Sequence, residues 1–190
     1  MNDVELSTAT SLWIDLTILL ICFIAIIFLE WRRNHCGQRT HAEWILLLIM
    51  LTGYLVIYIY LTFIYRKPLE QRQFLPRPFW SYEHAFSLEG GLHIVHLSSA
   101  RQILLNILVY VPAGVMLPAV FYQVRHPYWM TVLACAALTL STEGFQWLTK
   151  LGYCEVDDLI NNLMGALIGI LLYALGMRII LHVQKLRVQK

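Results

Sequence analysis

Apolar positions in this chain gather in five long blocks, and polar positions gather between them. The blocks cover residues 12–29, 44–65, 102–122, 128–148 and 159–181. About twenty consecutive apolar residues cross the hydrocarbon core of a bilayer as a helix. The pattern therefore predicts an all-α fold, a polytopic membrane bundle of about five transmembrane helices. Trp and Tyr stand at several block ends, as amphipathic rings do at a membrane–water interface. The first block does not read as a cleavable signal: acidic Asp3 and Glu5 precede it, and its apolar run is too long.

Composition agrees with the pattern. The 190 residues are 58% hydrophobic and 14% charged, with mean hydropathy +0.61, whereas a soluble domain is about one quarter charged. A net charge of +2 and the lack of a basic stripe interleaved with aromatics argue against nucleic acid as a partner. The chain divides into an N-terminal helix and loop (1–45), a helical membrane domain (46–181) and a basic tail (182–190).

Charge also orients the blocks. No Lys or Arg precedes the first block, while Arg32, Arg33 and Arg39 follow it and Arg178, Lys185, Arg187 and Lys190 mark the other end. The positive-inside rule places the chain in the cell membrane as a multi-pass protein, N-terminus outside and C-terminus cytoplasmic. Arg66, Lys67, Arg72, Arg77 and Arg101, in the loop this puts outside, pull the other way.

Three block ends carry polar side chains that a lone membrane helix would not tolerate, because ionisable groups in apolar spans are costly. Arg101 stands where the third block begins, Glu143 and Gln146 where the fourth ends, and Asp157 and Asp158 where the fifth begins. Short links between antiparallel neighbours bring these ends to one face. At 1.5 Å per residue Asn106 lies roughly 7 Å below Arg101, and Asn161 and Asn162 lie one turn below the aspartates. Arg101, Asn106, Glu143, Gln146, Asp157, Asp158, Asn161 and Asn162 are thus expected in one shallow outer layer. Asp15 would sit on the same face as an interfacial residue of the first helix.

Spacing sharpens the expectation. Thr139, Glu143 and Gln146 share one helical face. Asp158, Asn162, Gly165, Gly169 and Gly176 form a stripe that passes from polar to small, the arrangement by which membrane helices approach closely. That seam would serve the fold or a dimer equally well. Pro112, Gly114 and Pro118 predict a bent third helix. Ser99 and Gln102 match a capping box, which would start that helix at Ser99 with Arg101 in its first turn. In segment 66–100, Phe79, Trp80, Tyr82 and Phe86 suggest an interfacial segment or a cap over the bundle.

Each of these residues also has a plain structural reading. Asp157 and Asp158 sit where carboxylates cap a helix and meet its positive dipole end. Glu143 can form a buried ion pair with Arg101 that fixes register. His93 and His96, with His84 nearby, make an HxxH, but zinc needs three or four ligands and no HExxH is present, so no metal site is assigned. Cys22, Cys36, Cys135 and Cys154 are scattered, without metal spacing or an expected disulfide. No nucleophile elbow or phosphate-binding loop occurs.

Three ordered motifs carry a family resemblance: RQILLNILVYVPAGVMLP (101–118), STEGFQ (141–146) and CEVDDLINNLMGALIG (154–169). Together they resemble the VanZ-like family of bacterial membrane proteins, named for a teicoplanin-resistance protein, over roughly residues 50–175. Arg101, Asn106, Pro112, Gly114, Glu143, Gln146, Asp157, Asp158, Asn162 and Gly165 fall on the family's motif positions. Where members often carry an Arg shortly before the paired aspartates, this chain has Leu151, with Lys150 as the nearest substitute. The resemblance implies a part in low-level resistance to teicoplanin and some lipopeptides, and it carries over no particular enzymatic activity.

Two functions of different class fit these residues. In the first, the outer polar layer binds a lipid-linked cell-wall precursor or a lipophilic glycopeptide, with Arg101, Asn106, Gln146, Asn161 and Asn162 as ligand-binding groups and Arg101 meeting a phosphate or carboxylate. In the second, the chain is a membrane-embedded hydrolase or transferase acting on a lipid phosphate or other envelope substrate. Glu143, Asp157 and Asp158 would then be catalytic, Glu143 as acid or base and the aspartates holding Mg²⁺.

Overall fold

The computed structural model describes residues 3–64, 68–86 and 93–188. Its helices follow the apolar blocks: α1 (Asp3–Cys36), α2 (His41–Ile59), α4 (His93–Val120), α5 (Pro127–Thr149) and α6 (Val156–Val188), with a short α3 (Trp80–Phe86) between α2 and α4. A π-helical turn, Tyr60–Ile64, prolongs α2. Two-residue strands β1 (Phe74–Leu75) and β2 (Cys154–Glu155) pair in parallel and tie the segment before α3 to the start of α6. The all-α bundle expected from the pattern is thus present, with this one small ladder added.

α2 begins where its sequence says it should. Gly37 takes the left-handed φ of 78° that ends α1, and Thr40 and Glu43 form a reciprocal capping box. α4 begins earlier than expected, at His93. Ser99 and Gln102 are therefore interior residues of α4 and not its cap, and Arg101 lies in the third turn.

The centre of the bundle is the parallel pair α4 and α6. Gly165 lies against the carbonyl of Ile107, and Gly169 against the carbonyl of Val111 and the backbone of Gly114. A Cβ on Gly114 would collide with the carbonyl of Ala166. The small-residue stripe of α6 is accordingly used inside the chain, at a contact only glycine allows. Gly176 faces Ile27 of α1, so the same stripe receives a second helix lower down. Tyr110, Val111, Val115, Met116, Ala166 and Tyr173 are buried around this seam.

α4 remains helical through Pro112 and Pro118. A proline removes a donor and leaves a carbonyl without its partner, which neighbours must satisfy in an apolar setting. Near that end, Arg39 donates from Nη1 to the Ala119 carbonyl at 2.7 Å.

Among the described residues, three helices are long and apolar enough to cross a membrane: His41–Ile64, Ser98–Val120 and Val156–Leu186. α5 has the length, but Thr131, Thr139, Thr142, Glu143 and Gln146 fill its buried face and dilute its hydropathy. α1 fills the remaining block. Ile45, Ile49, Val56, Leu133, Leu140, Leu171 and Ile179 are exposed, an apolar outer surface suited to lipid.

Candidate polar site at the ends of alpha4, alpha5 and alpha6

The polar residues of α5 and α6 meet at the end of the bundle where α5 finishes and α6 starts. Four carboxylates are buried there: Glu143, Glu155, Asp157 and Asp158. They accept most of their hydrogen bonds from other segments. Asp157 Oδ1 accepts from the Phe79 amide at 2.5 Å and Oδ2 from the Ser81 amide at 2.7 Å. These amides open α3, so the aspartate caps α3 from across the bundle and not the helix it stands on. Phe79 holds a left-handed φ of 65° at this junction, a conformation few side chains adopt.

A second set of bonds ties α4 to α6. Asp158 Oδ1 accepts from Asn106 Nδ2 at 2.5 Å and from Gln102 Nε2 at 3.5 Å. Gln102 also donates to Glu155 Oε2 at 3.3 Å, which takes a further 3.4 Å bond from the Ser81 hydroxyl. Glu143 Oε2 accepts from the Glu155 amide at 3.0 Å, joining the end of α5 to β2. The aromatic segment around α3 thus covers the bundle end, as one of the two sequence readings expected.

The carboxamides occupy the rim of this network. Asn161, one turn after Asp157, accepts from the Tyr82 hydroxyl. Asn162, one turn after Asp158, donates to Thr139 Oγ1 at 2.7 Å. Gln146, one turn after Glu143, donates to the Thr62 carbonyl at 3.4 Å. Beneath them Tyr58 bonds Tyr110 at 2.9 Å and Thr142 at 2.7 Å. A hydroxyl tier therefore underlies the carboxylate tier.

Electrostatics outside the spans follow this geometry. Burial, then Glu143, Asp158 and Glu155, pushes the Cys154 thiol above its ordinary value. Burial and then Asp157 do the same to the Tyr82 phenol. Among the described residues, no group of three or more His, Cys, Asp or Glu is placed to hold a metal ion. Asp157 accepts a backbone amide at each of its two oxygens.

A family model, VanZ/LLP1, matches residues 16–180. The chain belongs to the VanZ/LLP1 family. No curated protein and no solved structure matches it. The match begins within α1 and is wider than the 50–175 region that the motifs mark.

The polar residues singled out in the sequence separate by position. Asn106, Glu143, Gln146, Asp157, Asp158, Asn161 and Asn162 stand at one bundle end, whereas the Arg101 side chain is exposed. Its neighbour Gln102 reaches the carboxylates instead, because consecutive helical residues point about 100° apart. Lys150 takes a left-handed φ of 61° behind α5 and donates to the Glu70 carbonyl at 3.2 Å, so it does not replace the missing Arg beside the aspartates. The side chains of Asp15, His93 and His96, and residues 66 and 67, lie outside the described residues.

Sequence reasoning missed a second polar centre at the opposite end. Glu30 is buried and pairs with Arg39, while Arg33 reaches its other oxygen at 2.7 Å. Tyr173 bonds the same carboxylate. Arg39 lies over Trp44 at 5.3 Å and Tyr122 at 4.8 Å. Acid and bases in one loop were visible in sequence; their burial was not. Glu155 and Ser81 were missed because they lie on β2 and on α3, which no helical period of α5 or α6 includes.

Proposed function

We propose that this VanZ/LLP1 protein crosses the cell membrane several times, with its N-terminus outside, and binds the headgroup of an amphiphilic envelope ligand at its outer polar end. That ligand is a lipid-linked cell-wall precursor or a lipophilic glycopeptide, and its capture lowers susceptibility to teicoplanin or lipopeptides. The observation that carries this reading is a buried layer of carboxylates and carboxamides at one end of the bundle. Such a layer is costly in a membrane setting and is by default functional. The orientation is supported by Arg32, Arg33 and Arg39 gathering at the end opposite the carboxylates.

The hydrolase or transferase reading has less support. Asp157 is engaged by two backbone amides, and Arg101 is exposed. The deciding experiment expresses the wild-type chain and Glu143→Gln in a teicoplanin-susceptible bacterium lacking its own copy. The binding reading expects the wild type to raise the inhibitory concentration. An unchanged concentration at equal membrane abundance would sink it. Turnover of a lipid phosphate that Glu143→Gln abolishes would favour the enzyme.

A further inference from the structure

The carboxylates and carboxamides of the site do different work. Asp157, Asp158, Glu143 and Glu155 hold the fold of the bundle end: they fix α3, α4 and β2 through the bonds described above. The amides are each half used. Among the described residues, Asn161 accepts from Tyr82 but its Nδ2 has no partner, Asn162 donates to Thr139 but its Oδ1 has none, and Gln146 donates to Thr62 but its Oε1 has none. All three side chains are buried, with relative exposures of 0%, 5% and 1%. Buried polar atoms are almost always hydrogen-bonded, so orphans beside a polar cluster point to an absent partner.

Resting on the binding reading above, we infer that Gln146, Asn161 and Asn162 are the ligand-facing groups and that they take a neutral headgroup rich in hydroxyls or amides, a sugar or a peptide, instead of a phosphate. Two orphan acceptors and one orphan donor match groups that both donate and accept, as hydroxyls and amides do. A phosphate only accepts, so it would leave Asn162 Oδ1 and Gln146 Oε1 unmet. It would also have to settle beside buried carboxylates, where like charge and desolvation both oppose it. Tyr82, bonded to Asn161, sits on α3, so α3 adjoins the amides.

The test uses the full chain in nanodiscs of phosphatidylethanolamine and phosphatidylglycerol. Two photoreactive probes share one diazirine-bearing alkyl tail and differ in headgroup, a glucoside or a phosphate monoester. The glucoside is expected to cross-link to α5 and α6 peptides roughly tenfold more than the phosphate, the ratio that one good hydrogen bond commands. Asn161→Leu removes the orphan donor together with the acceptor for Tyr82 and adds no charge; Gln146→Met removes an orphan acceptor together with the donor to Thr62. Each is expected to cut glucoside capture about tenfold, per molecule still eluting as folded protein. Undiminished capture in both variants would remove the amides from the site. Preference for the phosphate would overturn the headgroup class and leave the binding reading standing. Capture of neither probe by the wild type would remove both.

Discussion

Gly169 of α6 meets Gly114 of α4 backbone to backbone: a Cβ placed on Gly169 would stand 2.7 Å from the Gly114 Cα. The polar contact of Asn106 with Asp158, two short side chains that bond at 2.5 Å, calls for the same close approach.

Gly165→Ala and Gly169→Ala are therefore expected to destabilise the bundle by about 1–3 kcal/mol, the cost of overpacking a closed contact. Thermal unfolding in detergent measures this. Gly144→Ala is the control, because nothing lies within 4 Å of its Cβ position. It lies within α5 and should be neutral or stabilising by about 0.5–1 kcal/mol.

Asp157→Ala removes the acceptor of two amides that start α3. Hydrogen bonds to a charged acceptor contribute about 1.5–3 kcal/mol each. The variant should lose protection from hydrogen exchange in residues 79–86 first, while the α4–α6 seam keeps its protection. Equal loss throughout would mean that Asp157 supports the whole bundle and not the cap.

The Cys154 thiol reports the local field. Its value is raised because burial and the neighbouring Glu143, Asp158 and Glu155 disfavour the thiolate. Alkylation follows the thiolate fraction, so the wild-type rate should climb with pH to a midpoint above that of an ordinary cysteine. Glu143→Gln removes one negative neighbour and should move the midpoint to lower pH. At pH 8 that means faster alkylation, measured with the other three cysteines replaced. A midpoint that stays put would separate Glu143 electrically from Cys154.

Breaking the opposite centre should be severe. Arg39→Met leaves Glu30 buried with one fewer partner, and truncating one member of a buried pair costs about 3–5 kcal/mol. Glu30→Leu combined with Arg39→Met should recover much of that loss. A double-mutant cycle in thermal unfolding gives the coupling, and additive effects would show that the pair contributes little.

Much of this was legible in sequence. The apolar blocks foretold the helices because backbone groups in hydrocarbon must bond within their own segment. The stripe from Asp158 to Gly176 foretold a close helix contact, because four- and three-residue steps keep one face. Thr139, Glu143 and Gln146 shared a face for the same reason. What a period of 3.6 cannot supply is the identity of the facing partner.

Local sequence thus determined the helical class, the polar ends and the glycine seam, since each depends on residues within a few turns of one another. Tertiary structure alone decided that Asp157 caps a helix 76 positions earlier through Ser81, that Gln102 and not Arg101 faces the carboxylates, and that Glu30 and Arg39 are buried together. Those outcomes turn on which way helices rotate and how closely they approach. Both are set by packing across the whole bundle, and no single stretch of chain encodes them.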